Sequence, residues 1–323
     1  MAKATNSYRT EIVNKLLEYQ AQNFPEWEGI FERGNDRKGR PPVFLKGQAW
    51  RNVLTGENVS ARLNQELLSL VPAYERHRWF GSMTSSQALA QSILGNLTIS
   101  GNMSLLNEIK GEDGQPIFGE MQINFGNFSF EKKVTHLGEP RSTSLDALIS
   151  GIHPIAIECK FTEQEMGSCS RPHLLPAASN YQEAHCNGCH ERQRGRKSRC
   201  SLTEIGVRYW EFIPQVFLWP NDADLNPCPL DDNYQLVRNL LAVAVNPDGS
   251  VSTRYCHVVL LYDERNPAFA DGGKGFRSFK MTRDALRNPE MLKKCSWQKI
   301  ILIMREKGIP PSLTKELSLK YGY

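Results

Sequence analysis

The sequence predicts an α/β protein in which a mixed sheet is sandwiched between helices. Three observations carry this. Helix-period segments open and close the chain, a group of strand-length apolar runs stands in its middle, and one more apolar run, RYCHVVLLYDE, follows two further helical segments. The 323 residues, 40 % of them hydrophobic, can fill the core of one large domain or of a domain with a small appendage.

Each element has its own signal. TEIVNKLLEYQAQNF reads as an N-terminal helix and NDRKGRPP, residues 35–42, as a loop. RLNQELLSLV and SSQALAQSILGNL, residues 85–97, are helical, the second opened by a serine suited to capping. The period then changes: EMQINF, FSFEKKV and SLDALI alternate or run apolar over strand length, and HPIAIECKF follows. GVRYWEFIPQVFLW and NYQLVRNLLAVAV are expected helices, RYCHVVLLYDE (residues 254–264) a strand, and CSWQKIILIMREKG the closing helix.

The N-terminus has no apolar leader, and no segment approaches the roughly 18 apolar residues that span a bilayer. A cytoplasmic location without membrane association is expected. A net charge of +4 announces no nucleic-acid partner by itself. Local charge says more, because ERQRGRKSRC gathers Arg192, Arg194, Arg196, Lys197 and Arg199. Eight cysteines are too sparse for a disulfide scaffold, but four fall between residues 169 and 200, which reads as a metal site in a reducing compartment.

The stretch SLDALISGIHPIAIECKF, residues 144–161, poses the sharpest chemical problem. Gly151 and Pro154 place a turn near residue 152, so the flanking runs form an antiparallel pair with residue 146 opposite residue 158. Side chains alternate along a strand. Asp146, Glu158 and Lys160 therefore share one face, and Ile155, Ile157 and Cys159 take the other. Two acids this close push each other toward protonation unless a cation stands between them. Hard oxygen ligands favour Mg²⁺ or Mn²⁺.

Asp146, with Glu158-Cys159-Lys160 on the next strand, resembles the signature of the PD-(D/E)XK nucleases and their restriction-endonuclease-like fold. SSQALAQSILGNL, FSFEKKV, SLDALI and NYQLVRNLL before an apolar strand resemble a bacterial group of restriction-endonuclease-like proteins. Triplets of the form (D/E)xK begin at Asp36, Glu108, Glu131 and Glu158, and only the last ends an apolar strand with an aspartate across a turn. Leu145 stands where the superfamily's proline often does.

The resemblance implies an N-terminal helical region (1–74), a nuclease core (75–265) holding a Cys-rich insert (165–201), and a C-terminal helical region (266–323). It implies that Asp146, Glu158 and the backbone carbonyl of Cys159 hold the metal, while Lys160 orients or helps deprotonate the attacking water and stabilises the charged phosphorane. Gln235 is expected to face the site, with Arg238 close to one turn further on the same face. Glu131 is either an extra acid of the site or, with Lys132 and Lys133 following it, a solvated strand residue.

The implied activity is Mg-dependent endonucleolytic hydrolysis of DNA of restriction or defence type, with double-stranded DNA as partner and a homodimer allowed. The alternatives are a non-cleaving, zinc-containing nucleic-acid-binding protein on the same fold, or a repair or RNA-processing nuclease. The basic run 192–199 is the expected phosphate contact, a solvated charged loop being the other reading.

The insert carries Cys169, Cys186, Cys189 and Cys200, with His185 and His190 as alternative ligands. A CxxC knuckle suits tetrahedral zinc, which would fold a segment too polar to build its own core. Free thiols are the next reading. An iron–sulfur cluster ranks lower, because cluster-bearing nucleases of the superfamily flank their core with cysteines. Cys159, Cys228, Cys256 and Cys295 are expected to be buried or incidental.

Overall fold

The computed structural model describes residues 2–33, 39–56, 60–119, 125–140, 142–193, 195–309 and 311–323. Its centre is a five-stranded sheet in the order β1-β2-β3-β4-β5: β1 (Phe128–Val134), β2 (Thr143–Ile149), β3 (Ile155–Cys159), β4 (His257–Tyr262) and β5 (Leu292–Ser296). β1, β2 and β3 pair antiparallel, whereas β3, β4 and β5 pair parallel. This is the mixed sheet that the run of periods predicts. Every residue of β3 is buried, as expected of a central strand covered on both faces.

Helices cover the sheet on both sides. α1 (Ala2–Asn23), α2 (Ala61–Ser69) and α3 (residues 86–99, with a π turn at Gln91–Gly95) precede the strands. α4 (Tyr209–Val216) and α5 (Tyr234–Ala244) lie between β3 and β4, α6 (Lys274–Asp284) lies between β4 and β5, and α7 (Trp297–Glu306) and α8 (Pro311–Tyr321) end the chain. The serine that opens α3 is Ser85, whose Oγ accepts the Ala88 N–H at 3.2 Å.

Strand alternation divides the core in two. Ala147, Ile149, Ile155, Ile157, Val259 and Leu261 pack with α1, α3, α7 and α8. Ala156, Val258, Leu260 and Leu292 pack with α4, α5 and α6. Among the described residues, no helix is long and apolar enough to cross a membrane.

β5, α6 and α8 stand outside the elements expected from sequence. β5 is LKKCS, an edge strand whose two lysines are half-buried, so it lacks the apolar run of β4. Of the expected strand EMQINF, residues 120–124 lie outside the described residues, and Phe125 belongs to a 3₁₀ turn, Phe125–Asn127.

Candidate active site

The β2–β3 register pairs Ala147 with Ile157 and Ile149 with Ile155, so the next step toward the strand end sets Asp146 across from Glu158. An Asp146 carboxylate oxygen accepts the backbone N–H of Cys159 at 2.8 Å. Glu158 is 1 % exposed and Lys160 6 % exposed. The Lys160 ammonium lies 2.9 Å from one Glu158 oxygen and donates to Gln235 Oε1 at 2.9 Å. The other Glu158 oxygen accepts the side-chain N–H of Asn239 at 2.7 Å. The strand end is pinned from behind, where the Trp297 indole N–H at the start of α7 donates to the Lys160 carbonyl at 2.9 Å.

α5 reaches the site because its buried stripe is apolar except where it meets these charges. Leu236, Val237, Leu240 and Leu241 fill the core, and Gln235 and Asn239, four residues apart, share the helix face above Lys160 and Glu158. Asn239 escaped the sequence reading, although its i+4 spacing from Gln235 marks it. Arg238 donates to the Ser144 carbonyl at 3.3 Å and to Asn239, which braces α5 on β2.

Two further residues complete the setting. Glu131 takes a backbone φ of +48°, a left-handed conformation unusual for a side chain with a Cβ, and accepts the Gln87 side-chain N–H of α3 at 2.5 Å. It is therefore part of the acidic cluster and not a solvated strand residue. Gly167 has φ +84°, and a Cβ there would stand 2.7 Å from Gln235 Oε1, so only glycine lets the chain pass this close to the glutamine.

The electrostatics are unbalanced. Burial first, and Glu158 second, push the Asp146 carboxyl well above the ordinary range, against the opposing pull of Lys160 and the Cys159 N–H. Burial lifts Glu131 to about 7, offset in part by the Gln87 hydrogen bond. Burial would lower Lys160, but Glu158 and Glu163 outweigh it and hold the ammonium above its ordinary value. One ammonium thus faces three carboxylates. The acids lack a second positive charge, and their hard oxygens suit a divalent cation. Among the described residues, no three His, Cys, Asp or Glu side chains already stand in a metal-holding set.

Beside the site runs a groove of ≈ 670 Å³ lined by Arg9, Arg33, Arg40, Trp79 and Glu163, among others. Glu163 links groove and site, accepting the Phe161 backbone N–H at 2.5 Å and the Ser86 hydroxyl at 2.7 Å.

The remaining sequence candidates fall elsewhere. Cys169, Cys186, Cys189 and Cys200 line one small cavity, joined by Cys228, which had no role from sequence. His185 stacks on Tyr181, and the buried His190 stacks on Trp210 with ring centroids 3.5 Å apart; neither lines that cavity. Arg192 and Lys197 are exposed, Arg196 reaches Gln193, Arg199 is paired with Asp224 at 3.0 Å, and Arg194 lies outside the described residues.

A mixed five-stranded sheet between helices, with acids meeting at the ends of its antiparallel strands, defines the restriction-endonuclease-like class. The chain belongs to the family described as Restriction Endonuclease associating with ARP, whose model matches residues 18–322. No curated protein and no solved structure matches it.

Proposed function

We propose that the chain is a PD-(D/E)XK-type endonuclease that hydrolyses DNA phosphodiesters with Mg²⁺ or Mn²⁺. The observation that carries this reading is the facing pair Asp146 and Glu158, over-negative for its single buried lysine. Asp146, Glu158 and the Cys159 carbonyl would hold the cation, which when bound supplies the missing positive charge and an activated water. Lys160, kept as an ammonium between Glu158 and Gln235, serves as an electrostatic partner for the phosphate and not as a base. Asn239 and Gln235 fix the rotamers of Glu158 and Lys160, so the reacting groups are oriented before substrate arrives.

The groove with Arg9, Arg33, Arg40 and Trp79 supplies charge for phosphates and a ring face for bases, while Arg192, Arg196 and Lys197 are proposed as outlying phosphate contacts. Restriction or defence is the proposed setting, by the family description. Incubating supercoiled plasmid with the protein tests the reading. Cleavage should require Mg²⁺ or Mn²⁺ and fall on the order of 10³-fold in Asp146→Ala, Glu158→Ala and Lys160→Ala, each still folded by circular dichroism. Wild-type rates in all three would reject the site.

A further inference from the structure

The Cys-rich insert takes no part in that chemistry, yet its cysteines converge. Five of the eight cysteines, Cys169, Cys186, Cys189, Cys200 and Cys228, line one cavity of ≈ 10 Å³, which is room for about one water-sized sphere. Backbone hydrogen bonds draw the segments together. The Cys169 N–H donates to the Asp231 carbonyl and the Cys228 N–H to the Gly188 carbonyl, both at 2.8 Å. The insert is thereby tied to the loop that leads into α5.

The hydrogen bonding of the sulfurs separates two kinds of cysteine. Cys256 and Cys295, remote from the cavity, donate their S–H to backbone carbonyls, as ordinary buried thiols do. Cys169, Cys200 and Cys228 instead accept backbone N–H groups from residues just downstream: Arg171 for the first, Leu202 and Thr203 for the second, Leu230 for the third. Amide donors aimed at sulfur stabilise a thiolate, the form that ligates metal. Cys189 and Cys228 are both half-exposed, but a backbone N–H is aimed at the Cys228 sulfur and none at that of Cys189.

We propose that Cys169, Cys186, Cys200 and Cys228 bind one zinc ion as a tetrathiolate, with Cys189 outside the set. The ligand set from sequence is thus revised at one position, because the fourth thiol comes from a distant loop and not from the CxxC knuckle. A cavity this small suits a single ion and not a cluster of irons and sulfides. The sulfurs are not closed on a common centre in this structure. Binding would draw them inward by rotation about their Cα–Cβ bonds. Gln235 donates its backbone N–H to the Gly167 carbonyl, so an ion held between insert and loop would also steady the end of α5 that carries Gln235.

The test is metal analysis of the full chain purified without chelator, together with alkylation mapping by mass spectrometry. We expect about one zinc per chain, retained in Cys189→Ser and lost in Cys228→Ser. In the wild type, Cys169, Cys186, Cys200 and Cys228 should resist iodoacetamide until a chelator is added, while Cys189 reacts from the start; this arm holds even if Cys228→Ser fails to fold. A wild type that holds no zinc and takes up no Co²⁺ with thiolate charge-transfer absorption overturns the site. Retention of zinc in a folded Cys228→Ser with its loss in Cys189→Ser overturns the ligand set, and stoichiometric iron with sulfide overturns the ion. None of these readouts depends on cleavage.

Discussion

Two adjacent strands end in buried carboxylates that behave in opposite ways. At the end of β4, Asp263 is 0 % exposed and fully answered: it accepts Arg265 Nε and Nη2 at 2.9 and 2.6 Å, Gln298 at 2.6 Å and the Tyr8 hydroxyl at 3.1 Å. At the end of β3, Asp146, Glu158 and Glu163 share one ammonium, and Asp146 is driven toward its protonated form. The first arrangement is closed and ties both chain termini to the sheet, since Arg265 also reaches the Tyr321 carbonyl. The second is open by one positive charge. A buried acid is therefore no sign of function in itself; the imbalance around it is.

This contrast predicts opposite responses to the same chemical change. Asp263→Asn strands the Arg265 guanidinium and should cost roughly 3–5 kcal/mol of unfolding free energy. Asp146→Asn removes a repelled charge. It should abolish cleavage yet leave the stability of the Mg²⁺-free protein equal or higher.

The pH dependence follows with a definite sign. The Asp146 and Glu131 carboxyls are raised, so the folded chain holds their protons more tightly than the unfolded one. Stability in Mg²⁺-free buffer should be greatest below the carboxylate range and fall as pH rises, through about 7 for Glu131. The fall should be smaller in Asp146→Asn. Denaturant melts at several pH values would show this, and parallel profiles for the two proteins would break the contrast.

A smaller effect sharpens it further. In Gly167→Ala the new methyl would meet Gln235 Oε1, displacing the glutamine from Lys160 while both acids stay in place. Cleavage should fall roughly tenfold with the Mg²⁺ requirement unchanged, as expected when orientation is lost and charge is kept. An unchanged rate would remove Gln235 from the mechanism.

How much of this was legible depended on the distance over which each signal acts. Asp146, Glu158 and Lys160 could be placed from eighteen consecutive residues, because a turn and strand alternation fix their common face. Gln235 came only through the resemblance, and Asn239 beside it is visible as an i+4 partner once the helix is known. Glu131 was obscured by Lys132 and Lys133, which do point outward. Its burial is imposed by Gln87, a side chain of α3 far earlier in the chain. Cys228 was illegible for the same reason: no spacing rule links it to Cys169, and only the loop before α5 brings them together. β5 was missed because an edge strand needs little apolar sequence.

The central claim, that the acid pair at the β2–β3 end awaits a divalent cation, is tested most directly by following the thermal midpoint of protein dialysed free of Mg²⁺ as Mg²⁺ is restored. Binding to the folded form alone stabilises by RT ln(1 + [Mg²⁺]/Kd), about 2.7 kcal/mol at a hundredfold excess over Kd. The account predicts a saturable rise in the wild type and in Asp263→Asn, with none in Asp146→Asn. A rise of equal size in Asp146→Asn, or no rise in the wild type at any Mg²⁺ concentration, would contradict it.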